Sequence, residues 1–236
     1  MPSKLIVIPA LDEEATVGAV VTSIRAELDA DVLVVDDGSV DRTMHEALAA
    51  GAKVLQHPYN LGVGAALRSG FRYAVANGYD SVVQVDADGQ HDVEAAARLL
   101  ARLEADGLDL VVGSRFGSDY EVGLVRRASM RMLSRTVSRR LGVEINDTTS
   151  GFRAFGPRAL ERFARSYPSA YLSDTVEALL LAGDWGLKVA EEPVAMRPRA
   201  GGKPSSGRVK SAFHLIRLTL VIQLHKVRVP RTERVV

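Results

Sequence analysis

The chain contains no cysteine, which removes disulfides, thiolate metal sites, iron–sulfur clusters and cysteine nucleophiles together. It has no uninterrupted apolar run near the roughly 18 residues a membrane-spanning helix needs, so no segment is expected to cross a bilayer. There is no Gly-Lys-Ser/Thr, which excludes a P-loop. Aromatic residues are only 6% of the sequence and no recognition module accompanies them, so no nucleic-acid partner is expected. The amino terminus, MPSKLIVIPALDEE, places acids where a signal peptide would still be apolar, and a cytoplasmic protein is expected. What is present is ordinary: 236 residues, 47% hydrophobic and 25% charged, within reach of a single α/β domain.

The net charge of +1 hides a division. Residues 1–112 hold 8 basic and 18 acidic residues, whereas residues 113–236 hold 22 basic and 11 acidic ones. From Arg197 onward there are ten basic residues and one acid, Glu233. An acidic half suits hydrated cations, and a basic half suits phosphates or an anionic membrane surface. Arginine supplies 24 of the 30 basic residues, and its planar fork matches phosphate geometry. A general preference for Arg would explain that ratio without explaining the segregation.

Short β-branched runs alternate with Ala-rich helical stretches. Strands are predicted at Lys4 to Ile8, Asp31 to Val35, Lys53 to Gln56, Ser81 to Val85 and Asp109 to Val112. Helices are predicted between them, at Glu14 to Leu28, Arg42 to Ala50, Gly64 to Asn77 and Val93 to Ala105. Gly51, Gly78 and Gly107 follow three of these helices as left-handed caps. Such alternation implies a mostly parallel sheet with helices on both faces, with ligands collecting at the carboxyl ends of the strands. Beyond Gly113 the pattern weakens into a basic helix at Arg126 to Leu141, a loop into a short strand at Asp147 to Phe155, a helix at Thr175 to Ala182 and a strand at Lys188 to Val194. Pro198 to Gly207 reads as a flexible loop and Ser211 to Val227 as a last helix.

The expected ligand edge carries the unusual residues. They are Pro9 to Glu14 after the first strand, Asp36-Asp37-Gly38-Ser39 after the second, Asn60-Leu61-Gly62 after the third and Asp86-Ala87-Asp88 after the fourth. One polar turn would be a solvated loop; four on one edge make a site. Asp86 and Asp88, two apart, suit Mg²⁺ or Mn²⁺, with Gln90 beyond them. The spacing alone is cheap, as Asp29 and Asp31 show by sharing it before a strand; position sets Asp86 and Asp88 apart. Asp36 and Asp37 could hydrogen-bond a base or ribose, while Ser39 or Asp41 could simply start the next helix. Gly62-Val63-Gly64-Ala65-Ala66-Leu67 imitates a dinucleotide fingerprint, but Leu67 fills the third small position. His45, His57, His91, His214 and His225 show no ligand spacing and are read as structural or surface residues.

IPALDEE, VVDDGSVDRT, NLGVGAALRSGF, VDADGQH, VGSRF and DTTSGFRAF stand in the order and spacing of family 2 glycosyltransferases. The sequence resembles most the branch that makes dolichyl- or polyprenyl-phosphate mannose or glucose, over about residues 4 to 206. The resemblance implies an α/β GT-A fold, a UDP- or GDP-linked sugar donor, a divalent cation and inversion at the anomeric carbon. It places Pro9, Ala10, Leu11, Glu13, Asp37, Asn60 and Arg68 about the nucleotide, and Asp86, Asp88 and Gln90 about metal and diphosphate. Arg115, with Arg126 or Arg127, would hold the acceptor phosphate, and Arg199 and Lys203 lie in a loop that closes over the diphosphate. Asp12 departs from the family's usual Asn. Residues 1–207 form one catalytic domain in this reading, with the donor and metal half at 1–112 and the acceptor half at 113–207. A basic amphipathic segment follows at 208–236.

A phosphate acceptor also follows from charge. A hydroxyl nucleophile needs a general base, whereas a phosphate monoester is already anionic and needs positive positioning groups. Arg115, Arg126, Arg127, Arg131 and Arg153 supply them. The alternative is a soluble hydroxyl acceptor with Asp174 or Glu177 as base, although Asp174 equally suits a helix cap. A non-catalytic sugar-nucleotide binder is a third reading; the like-charged pair Asp86 and Asp88 argues against it. In the last helix Lys210, His214, Arg217, His225 and Arg228 share a stripe opposite apolar residues. It suits peripheral attachment to the cytoplasmic face of a membrane or packing in a homo-oligomer, and the sequence leaves both open.

Overall fold

The computed structural model describes residues 3–115, 124–168 and 174–195, with only the backbone described at 124–129. Among these residues seven strands form one sheet: β1 (Lys4–Ala10), β2 (Asp31–Asp36), β3 (Lys53–Gln56), β4 (Ser81–Gln84), β5 (Leu110–Ser114), β6 (Arg153–Phe155) and β7 (Val189–Pro193). Seven helices accompany them among the described residues: α1 (Val17–Glu27), α2 (Thr43–Ala49), α3 (Val63–Ala76), α4 (Val93–Ala105), α5 (Leu124–Leu141), α6 (Pro157–Ser166) and α7 (Asp174–Asp184). The strand order is β3-β2-β1-β4-β6-β5-β7. All neighbours run parallel except β6, which is antiparallel to both β4 and β5. The expected mostly parallel α/β sheet is what the chain forms.

The burial pattern explains the layering. Leu5, Ile6, Val7 and Ile8 are all buried, so β1 is covered on both faces. Because successive strand side chains alternate in direction, Leu5, Val7, Leu33 and Val35 join Phe71, Phe155 and Phe163 in one core layer. Ile6, Ile8, Val32 and Val34 join Val17, Val21, Ile24 and Leu99 in the other. Gly51, Gly78 and Gly107 take positive φ at the helix ends where caps were expected.

Several boundaries move for local reasons. β1 runs past Ile8, pairing Pro9 with Val35 and Ala10 with Asp36. Its pairing with β4 stops at Val7 with Gln84, so Pro9 sits where only one neighbour remains and a missing N–H is tolerated. α1 starts at Val17, not Glu14, because residues 14–16 form a turn closed by Thr16 and Val17 N–H donating to the Glu13 carbonyl. α6 had no counterpart in the sequence reading. Among the described residues no helix is long and apolar enough to cross a membrane. The expected last helix at 211–227 lies outside the described residues.

Candidate active site

The carboxyl ends of β1, β2, β3 and β4 open on one edge of the sheet, as their shared direction requires. The β1 and β2 exits are laced together. Asp12 adopts φ +55, a left-handed conformation that Asn and Asp tolerate best among residues with a Cβ. Its Oδ1 accepts Val40 N–H at 3.0 Å, and its own N–H donates to Ser39 Oγ at 3.0 Å. Glu13 N–H donates to Thr43 Oγ1 at 2.8 Å and Glu14 N–H to Asp41 Oδ2 at 3.1 Å. Asp41 Oδ1 accepts Thr43 N–H at 2.9 Å, so Asp41 does serve the start of α2. Ser39 instead braces the β1 turn.

Asp37 is 4% exposed and organises the β3 exit. Its Oδ1 accepts Leu61 N–H at 2.9 Å and its Oδ2 accepts Gly62 N–H at 2.8 Å. His57 Nδ1 lies 2.7 Å from Oδ1, and His57 Nε2 lies 2.9 Å from Ser69 Oγ. Oδ2 keeps one accepting direction beyond its bond to Gly62. Asp36 is fully buried and turned to structure, accepting Ser39 N–H and Gln56 Nε2–H. Asn60 is exposed, with Oδ1 accepting Gly62 N–H at 2.9 Å, and Arg68 is exposed on α3.

Beyond β4, the Asp86 side chain is 44% exposed whereas Asp88 is 6% exposed. Asp88 Oδ1 accepts Gln90 N–H at 3.0 Å, closing the turn. Asp86 N–H donates to His91 Nδ1 at 3.0 Å, which leaves the ring proton on Nε2, 3.7 Å from Asp86 Oδ2. His91 stacks on Phe152 with centroids 4.4 Å apart. Gly151 closes the other side: a Cβ there would lie 2.9 Å from Gln84 Nε2 and 3.7 and 3.8 Å from the Asp86 oxygens. A Cβ there would press on the end of the Gln84 side chain and stand in ordinary contact with the Asp86 carboxylate. Among the described residues no three or more His, Cys, Asp or Glu side chains form a metal-holding group. Mg²⁺ and Mn²⁺ commonly take part of their oxygen shell from one or two carboxylates and part from a ligand's phosphates.

Arg115 follows β5 on the same edge. β6 lies between β4 and β5, so the two exits stand about two strand spacings, roughly 10 Å, apart. Arg115 Nε donates to Asp147 Oδ2 at 2.7 Å and Nη2 to Asp147 Oδ1 at 3.2 Å and Thr149 Oγ1 at 3.0 Å. Asp147 is fully buried, and Glu191 fixes the turn before it by accepting Asn146 and Asp147 N–H. Burial alone would raise the Asp147 pKa, but the Arg115 guanidinium and the Thr149 hydroxyl hold it below the ordinary Asp value. Arg153 on β6 is fully buried, donating to the Ser150 and Thr148 carbonyls. Asp174 opens α7 at 5% exposure. Burial raises its pKa against the Thr175 N–H and the Arg153 charge. Glu177, one turn on, is half-buried.

The edge therefore gathers Pro9, Ala10, Leu11, Glu13, Asp37, Asn60, Asp86, Asp88, Gln90 and Arg115. Arg199 and Lys203 lie outside the described residues, as do the side chains of Arg126 and Arg127. Sequence reading missed His57, His91, Asp147 and Gly151 as parts of this edge. Asp147 and Gly151 stood in the quoted DTTSGFRAF run without a role. The two histidines carried no spacing signal, and their partners become visible only in three dimensions.

The pattern described as Glycosyl transferase family 2 matches residues 5–163. The polyprenol monophosphomannose synthase of Mycolicibacterium smegmatis is 33% identical over 222 residues, covering 89% of this chain and 83% of that protein. The undecaprenyl-phosphate mannosyltransferase of Micrococcus luteus is 30% identical over 230 residues, 88% of this chain and 90% of that one. Among solved structures, glucosyl-3-phosphoglycerate synthase from Mycobacterium tuberculosis, in complex with Mn²⁺, UDP-glucose and phosphoglyceric acid, superposes with a TM-score of 0.74. It is 26% identical, and the match covers 98% of this chain and 81% of that one.

Proposed function

The chain belongs to glycosyltransferase family 2, and from that premise we propose that it transfers a hexose from a UDP- or GDP-linked donor to a polyprenyl or dolichyl phosphate, with inversion. That it is a GT-A enzyme using a nucleotide sugar comes with the family and the fold. The acceptor reading is carried by Arg115, a guanidinium fixed in place by Asp147 and Thr149 beside the Asp86 exit. An anionic acceptor needs such a group and needs no base. The two bacterial relatives, a polyprenol monophosphomannose synthase and an undecaprenyl-phosphate mannosyltransferase, support the same reading.

In this reading Pro9, Ala10, Leu11, Glu13, Asp37, Asn60 and Arg68 surround the nucleotide. Arg126 and Arg127 join Arg115 on the acceptor phosphate, and Arg199 and Lys203 reach the donor diphosphate. Asp86, Asp88 and Gln90 would hold a Mg²⁺ or Mn²⁺ ion, which would reach the Asp86 carboxylate through its 44% exposed side chain. When bound, the cation supplies positive charge against which the diphosphate departs. Arg115 holds the acceptor so that a phosphate oxygen attacks the anomeric carbon from the face opposite the diphosphate. The bond from that carbon to the diphosphate oxygen breaks, and nucleoside diphosphate leaves.

The phosphoglyceric acid bound to the solved relative favours a second reading, a soluble acceptor. It would call on Asp174 or Glu177 as base, of which Asp174 is buried and Glu177 half-buried. Thermal-shift screening of UDP- and GDP-sugars with Mn²⁺, followed by incubation of the hit with a short polyprenyl phosphate and with phosphoglycerate, tests both. Transfer to the lipid phosphate is expected, with the Asp86→Ala, Asp88→Ala double variant losing at least about a hundred-fold in turnover. Wild-type turnover in that variant overturns the mechanism. Transfer to phosphoglycerate alone overturns the acceptor.

A further inference from the structure

We propose that His57 is a positioning residue for the donor: through Asp37 it fixes the strap of residues 57–62 that walls the nucleoside, without itself touching the nucleotide. This rests on the donor reading above. The Asp37 and His57 side chains are 6% and 7% exposed, and a carboxylate so buried is costly unless its oxygens are met. Two of its partners are backbone N–H groups of the strap itself, at Leu61 and Gly62. The third is the imidazole. Since a carboxylate only accepts, the 2.7 Å contact puts a proton on Nδ1, and Nε2 is left facing the Ser69 hydroxyl on α3. A line of hydrogen bonds thus runs from α3 through the ring to the β2 exit and on into the strap.

The strap is held from below as well. His57 N–H donates to the Asp36 carbonyl at 2.8 Å. Gly38, at φ +80, lies so close beneath that a Cβ there would stand 2.6 Å from the Tyr59 carbonyl carbon. What the strap presents outward is apolar: Tyr59 is 64% and Leu61 43% exposed, with Leu11 close to their level of exposure on the β1 turn. A tyrosine ring and aliphatic side chains left in water at an otherwise polar edge suit the face of a nucleobase. Their placement depends on the backbone that Asp37 grips. Loss of His57 leaves one Asp37 oxygen short of its charged-group hydrogen bond and frees the strap to shift. The nucleoside wall then loosens, while the Asp86 and Arg115 exits, on other strands, keep their geometry.

The test uses the full chain with UDP-glucose and GDP-mannose as probes, reading nucleotide-sugar Kd by calorimetry together with donor KM, acceptor KM and kcat. His57→Phe removes both hydrogen bonds and is expected to raise donor Kd and KM about ten-fold, with kcat within about two-fold. His57→Asn puts an amide N–H near the place of Nδ1 and is expected to return donor KM to within about three-fold of wild type. Ser69→Ala is expected to raise it about three-fold and carries the test should His57→Phe not fold. Donor KM unchanged in Ser69→Ala or His57→Phe, whatever the melting temperature, overturns the inference and shows a packing role only. A fall in kcat at constant donor KM does the same. Wild-type protein that binds neither probe overturns the donor-site reading itself, a result distinct from tight binding that is indifferent to His57.

Discussion

Asp147 illustrates how a single buried carboxylate is kept charged and put to use. Its oxygens meet Arg115 and Thr149, and its folded-state pKa lies below the value of about 3.9 for an unfolded Asp. A depressed pKa contributes stability that is whole above the unfolded value and fades as pH falls through the folded one. Asp147→Asn turns an amide N–H toward the Arg115 donors and is expected to cost about 1–3 kcal/mol at pH 7. In thermal melts the gap from wild type should shrink as pH falls below the ordinary Asp value and wild type comes to lose the same charge; a gap independent of pH would exclude the ion pair as its source. Asp12 shows a substitution the site tolerates. Its left-handed backbone and its acceptor to Val40 N–H are equally available to Asn, so the departure from the family's usual residue changes charge and leaves the turn intact. Asp86, Asp88 and Gln90 were legible because a strand exit gives meaning to a cheap spacing. The roles of His57 and Asp147 were not, because each depends on a partner brought close only by the sheet, 20 residues away for His57 and 32 for Asp147.

Among the elements, α6 is the one sequence reading lost. Its Gly156-Pro157 start is a recognisable helix opening, yet four charged residues in ten hide its apolar face. That face, Ala159, Leu160, Phe163 and Ala164, is buried. Phe163 meets Phe155, Tyr167 and Trp185 with ring centroids 5.7, 5.3 and 5.1 Å away. Phe163→Ala is expected to cost about 3–5 kcal/mol, read as a lower urea midpoint at unchanged slope. A midpoint equal to wild type would mean this aromatic cluster does not hold α6. The first five strands and four helices were legible because short β-branched runs alternate with Ala-rich stretches, with α3 and α4 the most clearly amphipathic. The second half was less so, since β6 spans three residues and no local pattern announces a strand that reverses direction.

At the level of the whole molecule, the acidic and basic halves of the sequence become neighbours in one sheet. The carboxylates of the β4 exit and the guanidinium of the β5 exit share an edge, which arranges a cation and an anionic acceptor side by side. The excess of basic residues beyond Arg197 predicts attraction to anionic lipid, about 1 kcal/mol for each charge that reaches the surface. In flotation assays the full chain should rise with phosphatidylserine vesicles at low salt, and removal of residues 208–236 should cut the bound fraction several-fold. Equal flotation of the two would remove that segment from membrane attachment. β6 bears on a different question, how acceptor choice could be exchanged between relatives. Its three residues pair with Val82–Gln84 on one side and Leu110–Val112 on the other, so the proposed donor and acceptor halves interleave and cannot be grafted at residue 112 like two modules joined by a hinge. A chimera would have to transplant β6 together with the turn that ends in Gly151, and any new acceptor pocket would inherit the neighbour that shapes the Asp86 opening.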